Sequence, residues 1–484
     1  MRNIKNALLI FSLLAIAACQ SANKTNQPNV IYILTDQWRG DALGYAGDPN
    51  VKTPNLDAFS KEAVNFSNTV SVCPVCTPYR ASLLTGKFPT STGMFLNDIY
   101  LPSEEYCMAE IFADAGYKTA YIGKWHLDGH GRRNNVEPER RQGFQFWQAD
   151  ECCHTYDSCY YYENDNPEMK YWEGYSPYAK VKSARKYLQQ SGNDNKPFLL
   201  FLSLATPHFP HHTAPEEYKA MYTKDKVTLK DNVPEDARTD RLYNEIKGYY
   251  GHCTATDRAI GDLLKEIKDL GLDKNSIIIF TADHGEMMGS HGINSGQKQY
   301  PYNESVCVPF LISYPELGKK AGITNKTPII TPDILPTLLS MCNIDIPGSV
   351  EGEDMSDIFL NPEQEVDRPV LILHPCPFSQ TWQYPGYRAV RTMQYSYVKT
   401  STGPFMLFDN LKDAQQMNNL VNKPEFTEIQ KKLDDMLQTR LDEVGDEKIR
   451  DRQYYLDKFN LNPDRGRYTY HYMDAGNADS PRVD

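Results

Sequence analysis

The chain has 484 residues, of which 24% are charged and 40% hydrophobic, and it carries a formal net charge of −12. That length suits two domains with sizeable cores. The acidic balance speaks against nucleic acid as a partner, since phosphate binding needs a basic face.

Arg2 and Lys5 precede Ala7–Ala18, an apolar run too short to cross a membrane and of the kind an export signal carries. No later stretch is apolar enough to span one. The run ends in Ile16-Ala-Ala-Cys19, which resembles the bacterial lipoprotein box, where the cysteine is acylated and becomes the mature N-terminus. Residues 1–18 are therefore expected to be a lipoprotein signal and 19–28 a polar tether. The expected location is that of an exported bacterial lipoprotein in the periplasm or outer membrane, with the lipid on Cys19 as its membrane contact. An ordinary signal peptide is the alternative.

Eleven cysteines are many for a reducing compartment, and export permits disulfides. Setting Cys19 and Cys76 aside leaves nine, so at least one stays unpaired. Cys152, Cys153 and Cys159 crowd one segment, where a disulfide or free thiols are expected rather than zinc, because no second ligand pair has finger spacing.

From residue 29 onward, four short runs are apolar on both faces, as buried parallel strands are. Asn29–Thr35 leads into Asp36-Gln37, and Thr119–Ile122 into Gly123-Lys124-Trp125-His126. Phe198–Leu204 leads into Thr206-Pro207-His208, and Ser276–Phe280 into Asp283-His284-Gly285-Glu286. Helical patterns lie between them at Thr53–Ala63, Glu110–Ala115 and Thr256–Leu270. Alternation of strand and helix predicts an α/β domain over 29–367, a large, mostly parallel sheet sandwiched by helices. Ligands in such folds bind outside the carboxyl ends of the strands, so all four polar clusters should meet at one rim.

From residue 368 the pattern changes. Pro369–Leu373, Tyr387–Thr392 and Tyr395–Lys399 alternate as antiparallel strands do. Phe405–Asn410 follows, then a helix near Phe426–Val444 with a face of Ile429, Leu433, Met436 and Leu441. Residues 368–484 are predicted to form a smaller antiparallel sheet plus helix; the tail beyond Asp451 has no assigned element.

The stretch Ser71–Gly86 reads as a helix start. Thr77 is expected to cap it, Pro78 to open it, and Gly86 to end it in the left-handed conformation. Cys76 then sits beside free N–H groups with Arg80 one turn in, a setting that favours an anion. Cys73-Pro-Val-Cys76 also has the form of a redox pair, but that motif belongs to thioredoxin-like units far shorter than this chain.

The string Cys76-Thr-Pro-Tyr-Arg80-Ala-Ser-Leu-Leu-Thr-Gly86 resembles the signature of the type I sulfatases, a branch of the alkaline phosphatase superfamily. Tyr79 departs from it, standing where a Ser or Ala is usual. The resemblance extends through Gly123–Leu127, Thr206–His211, Asp283–Glu286 and Leu407–Asp413. It implies that Cys76 is oxidised to formylglycine by a formylglycine-generating or anaerobic sulfatase-maturing enzyme. It further implies a metal held by Asp36, Gln37, residue 76, Asp283 and His284. Oxygen-rich sites suit calcium, with magnesium or manganese as alternatives; the nitrogen of His284 also admits zinc. Arg80, Lys124 and Lys298 would neutralise the sulfonyl oxygens, His208 would protonate the leaving sugar oxygen, and His126 would take the proton that expels sulfate.

For substrate contacts the aromatic insert from Asp150 to Trp172 offers His154, Tyr171 and Trp172. His211 and Arg388 are further candidates, with Tyr384 and the Pro375–Trp382 stretch beside them. The expected activity is hydrolysis of sulfate monoesters of sulfated saccharides. The rivals are a phosphonate monoester or phosphodiester hydrolase of the same superfamily and a non-catalytic glycan-binding lipoprotein.

Overall fold

The computed structural model describes residues 27–191, 196–377, 385–463 and 470–472. The expected export signal, Cys19, Trp382, Tyr384 and most of the C-terminal tail lie outside the described residues.

Ten strands form the main sheet: β1 (Asn29–Asp36), β2 (Val64–Phe66), β4 (Lys118–Lys124), β5 (Phe146–Asp150), β6 (Tyr160–Glu163), β7 (Asn166–Tyr171), β8 (Phe198–Pro207), β9 (Ser276–Ala282), β10 (Phe310–Ser313) and β11 (Thr324–Asn325). Two shorter strands, β3 (Thr69–Val70) and β12 (Ile329–Ile330), pair separately. The order across the main sheet is β11-β2-β10-β9-β1-β8-β4-β5-β6-β7. Its centre, β9-β1-β8-β4-β5, is parallel throughout.

The centre is buried on both faces, which is why its strands show no polar alternation. All eight residues of β1, ten of β8 and seven of β9 are buried. On one face Tyr32, Phe201, Tyr121 and Trp147 stack across four neighbouring strands, with ring centroids 4.9, 5.1 and 5.3 Å apart. Each such pair is worth about 0.5–1.5 kcal/mol beyond its buried area. The other face, with Ile31, Ile33, Leu200 and Leu202, packs on the 30-residue helix Asp240–Asp269. The Thr239 hydroxyl caps that helix by accepting from the Leu242 N–H. The expected helix at Thr256–Leu270 is its second half.

Parallel strands carry their carboxyl ends to one rim. Asp36, Lys124, Pro207 and Ala282 end β1, β4, β8 and β9, so the four polar clusters meet there as expected. The Asp150–Trp172 insert is more ordered than a loop. It forms the β6–β7 hairpin, which extends the sheet antiparallel from β5.

The smaller sheet is antiparallel, β13 (Val370–His374), β14 (Tyr387–Arg391), β15 (Tyr395–Thr400) and β16 (Gly403–Asp409) in sequential order. The helix Thr427–Glu443 buries Leu433, Leu437 and Leu441 against it, and Ile429 and Met436 flank that stripe half-buried. The sheet docks on the main body where the Leu373 N–H donates to the Val72 carbonyl (2.8 Å). Beyond Asp451 the chain forms the helix Arg452–Lys458, capped by the Asp451 carboxylate, and two short paired strands. At the other end, the Pro28 carbonyl accepts from the Tyr117 hydroxyl (3.0 Å). None of the ten described cysteines is disulfide-bonded, and no described helix is long and apolar enough to cross a membrane.

Candidate active site

The helix at the centre of the site runs Cys76–Thr85, two residues earlier than its sequence suggests. Val75 takes the extended cap conformation but has no acceptor for the first turn. Asn97 supplies one from another loop, its amide oxygen accepting from the Thr77 N–H (3.0 Å). Thr77 is thereby corrected from cap to tether, since its hydroxyl donates to the His126 carbonyl (2.8 Å). Gly86 ends the helix at φ 66°, the left-handed conformation that its sequence implied. Tyr79 points away from the site into the apolar core that also holds Tyr32.

The Cys76 sulfur is ringed by groups from four other segments. His284 Nε2 and Lys298 Nζ lie 3.2 Å from it, Asp36 Oδ1 3.7 Å, and Lys124 Nζ 3.8 Å. Behind this ring, Asp36 Oδ2 pairs with Lys124 Nζ (2.6 Å) and Arg80 Nη2 (3.3 Å). Arg80 also reaches Asp283 Oδ2 (3.1 Å), the Lys124 carbonyl (2.9 Å) and Ser203 Oγ (2.8 Å). Asp283 Oδ1 accepts from the backbone N–H groups of Gln37 (3.0 Å) and His284 (2.9 Å), which ties the ends of β1 and β9 together.

Lys298 Nζ also lies 3.2 Å from His208 Nε2. The other His208 nitrogen, Nδ1, is 2.7 Å from the Phe209 carbonyl and must donate to it, so Nε2 accepts from Lys298. His154 stacks on His208 with centroids 4.5 Å apart, beside the site. His126 sits at φ 58°, with Nε2 3.1 Å from Asp98 Oδ1. Asp98 is in turn gripped by Arg132 through two hydrogen bonds of 2.8 and 2.7 Å.

The electrostatics follow from burial and crowding. Burial and the sulfur of residue 76 raise the Asp36 carboxyl, but the Lys124 ammonium and the Arg80 guanidinium outweigh them and hold it below the usual range. Asp283 is pushed up by burial and by Asp36 beside it. The Cys76 thiol is held well below its usual range, because Lys124, Lys298 and His284 overcome the effect of burial. Burial and the neighbouring Lys298 ammonium push His208 down, which keeps it neutral. Four donors (Asp36, Cys76, Asp283 and His284) lie within 4.8 Å of one another, all buried. Two carboxylates and an imidazole in so small a volume suit a hard divalent cation, whose charge would relieve the strain that lifts Asp283. Gln37 adds its amide oxygen at the same corner, 3.5 Å from Lys298 Nζ.

Not every residue singled out in the sequence reaches this cluster. Trp172 is buried and stacks on Tyr161, with centroids 3.9 Å apart. Tyr171 is 58% exposed on the edge strand β7. His211 is buried and pairs with Glu245 (2.7 Å). Arg388 is a correction: it is fully buried and spends its donors on Asp446, Tyr455 and the Tyr387 carbonyl, so it cannot face a substrate. Conversely Asp98, Arg132, Ser203 and Cys152 belong to the site without having been singled out for it. Cys152 Sγ lies 3.5 Å from His154 Nε2. Its thiol is held down by His126 and Lys124 against the effect of burial.

The sulfatase family profile matches residues 28–344, well over half of the chain. The chain belongs to the sulfatase family. Members are hydrolases of sulfuric esters, and the profile for the C-terminal part of N-sulphoglucosamine sulphohydrolase matches residues 289–443 of this one. An ulvan-active sulfatase of Formosa agariphila is 55% identical over 94% of this sulfatase and 89% of its own length. An endo-4-O-sulfatase of Bacteroides thetaiotaomicron is 30% identical over 88% of the chain and 94% of its own. Among solved structures, a Bacteroides thetaiotaomicron chain from work on the metabolism of multiple glycosaminoglycans superposes with a TM-score of 0.78 at 28% identity. That likeness covers 89% of this chain and 98% of the other.

Proposed function

We propose that this sulfatase removes sulfate monoesters from sulfated carbohydrate, with residue 76 as the attacking position. The observation that carries the reading is the ring around Cys76. A reactive atom at a helix N-terminus is surrounded by Lys298, Lys124 and His284 within 4 Å, a cradle for a tetrahedral oxyanion built around its own nucleophile. The carbohydrate class is supported by the relatives, whose names specify ulvan and 4-O-sulfate activity.

Formylglycine, made from Cys76 by a maturation enzyme, would supply a hydrated aldehyde as nucleophile. A divalent cation, calcium first, would be held by Asp36, Gln37, Asp283, His284 and residue 76 and would supply Lewis-acid stabilisation of sulfonyl charge. The remaining work falls to side chains of the chain itself. Arg80 spans Asp36 and Asp283 and fixes both carboxylates. Lys124 and Lys298 bind the sulfonyl oxygens and orient the ester. In the free protein Lys298 donates to His208 Nε2. As the anionic ester draws that ammonium to itself, its charge raises the affinity of Nε2 for a proton, which His208 can pass to the leaving oxygen. His126, oriented by Asp98, is placed to accept the proton from position 76 that lets sulfate depart.

The stacked His154 is the best-placed of the candidate sugar contacts. The Ile16–Cys19 sequence supports an exported, lipid-anchored protein acting in the envelope. The test is inorganic sulfate release from a panel of defined sulfated saccharides, ulvan fragments included, by protein whose peptide mass shows sulfur exchanged for oxygen at position 76. Release from at least one saccharide is expected. An unmodified thiol at 76 after co-expression with a maturation enzyme, together with saccharide binding but no release, would instead indicate a binding protein.

A further inference from the structure

Gln37 occupies a corner where only one face of its amide is useful. Its amide nitrogen donates to Glu286 Oε2, and its amide oxygen looks toward Lys298 Nζ, 3.5 Å away. Its backbone is fixed as well, at φ 64°, with its N–H on Asp283 Oδ1 and its carbonyl accepting from the Tyr249 hydroxyl (3.2 Å). The side-chain amide is therefore the remaining freedom, a rotation by half a turn that exchanges oxygen for NH2 at the metal corner.

Glu286 is fully buried and is itself pinned. Its other oxygen, Oε1, accepts from the backbone N–H groups of Met288 (3.0 Å) and Gly296 (2.9 Å). The Glu286 N–H donates to the Glu304 carbonyl (2.8 Å), and the Met287 N–H to the Gln297 carbonyl (3.0 Å). A carboxylate can only accept. Held in this way, it demands a donor from Gln37 and leaves the amide oxygen facing the site. The same carboxylate closes the loop that carries Lys298, two residues beyond Gly296.

We infer that Glu286 is a positioning residue that selects the amide orientation of Gln37, so that an oxygen rather than an NH2 group faces the cation and Lys298. The inference rests on the metal corner proposed above. Replacing Glu286 by Gln keeps the shape and reverses the logic. The new amide oxygen still serves Met288 and Gly296, so its NH2 meets the NH2 of Gln37. Gln37 then turns, presenting its own NH2 to the cation. Exchanging the two residues, Gln37→Glu with Glu286→Gln, restores the pattern from the other side. Glutamate at 37 accepts from the amide at 286 and keeps its second oxygen on the site.

The experiment is isothermal titration of Ca²⁺ into the chelator-treated, matured full-length protein, its Glu286→Gln variant and the double exchange, with melting temperature in chelator as a folding control. Glu286→Gln should weaken Ca²⁺ binding by roughly 10–100-fold, the usual effect of losing a group that orients a metal ligand. The double exchange should return affinity to within a few-fold of the parent or better. Should the single variant melt early in chelator, the double exchange still decides. Recovered Ca²⁺ binding supports the orientation role, and a double variant no better than the single overturns it. Unchanged affinity in Glu286→Gln also overturns it while leaving the metal corner standing. A parent protein that takes up no Ca²⁺ contradicts the corner as well.

Discussion

Among the buried ionic clusters of the described residues, two differ in kind, one at the rim of the ten-stranded sheet and one behind the four-stranded sheet. In the second, Arg388 meets Asp446, the Tyr455 hydroxyl and a backbone carbonyl, and Tyr455 closes the circuit by donating to Asp446 (2.6 Å). Every strong group there is answered within the smaller unit. At the rim, groups from β1, β4, β9, the Cys76 helix and the Lys298 loop converge. Demand there goes unmet. Two carboxylates crowd each other, and Lys298 has no carboxylate partner among the described residues, only a sulfur, an imidazole and an amide. Buried charge alone therefore does not mark a site. Unanswered charge aimed at a nucleophile does.

The sharpest way to break the comparison is to remove one member of each cluster. Cys76→Ala should reduce turnover to background, a loss on the order of a million-fold for a missing nucleophile, with melting temperature close to the parent. Arg388→Met should do the opposite. Leaving Asp446 buried and unpaired costs about 3–5 kcal/mol, visible in urea unfolding, while kcat per folded molecule stays unchanged. If Arg388→Met lowers kcat at full folding, the two clusters are not separate in role.

Asp98→Asn comes next, as it removes the carboxylate behind His126 and keeps its size. Steady-state kinetics should show kcat falling by roughly 10²-fold, the contribution of a well-placed acid or base, with little change in unfolding free energy. Two further histidines sharpen the comparison through pH. His374 and His252 are pushed from 6.5 to about 3 by burial, with Arg388 and His211 respectively adding to the shift. Their folded-state pKa lies below the unfolded value, so the unfolded chain binds the extra proton as pH falls. Stability is then complete above about pH 6.5 and is lost progressively toward pH 3, at about 1.4 kcal/mol per pH unit for each group. At pH 5 each should have cost about 2 kcal/mol, and His374→Gln should flatten the melting-temperature profile between pH 6.5 and 5. The smallest effect is expected at exposed Tyr171 on the sheet edge. Tyr171→Ala should leave stability within about 0.5 kcal/mol of the parent and kcat/KM unchanged.

The core of the fold was legible because parallel strands buried on both faces leave a simple trace: apolar runs that stop abruptly at polar residues. The positions of Asp36, Lys124, Asp283 and His284 were legible for the same reason, since they stand at or just beyond strand ends, whereas Lys298 lies on a loop well past β9. The β6–β7 hairpin was hidden because β7 is a short exposed edge: Pro167, Met169 and Tyr171 alternate with Asn166, Glu168 and Lys170, but none of the six residues is buried. Asp98 was hidden because it acts from an irregular turn at φ 63°, with no local pattern to announce it. Arg388 misled because strand alternation suggests an outward face, whereas all five residues of β14 are buried; Tyr455 and Asp446, far along the chain, cover Arg388. Thr77 misled by two residues, because the cap position falls on Val75 and the acceptor for the first turn comes from Asn97 in another loop.

The most direct test of the central claim is a paired measurement on matured protein: kcat/KM for a sulfated saccharide against kcat/KM for a phosphonate monoester under the same conditions. The account predicts sulfate release favoured by several orders of magnitude and abolished by Cys76→Ala. Turnover of the phosphonate with no sulfate release from any saccharide would contradict it.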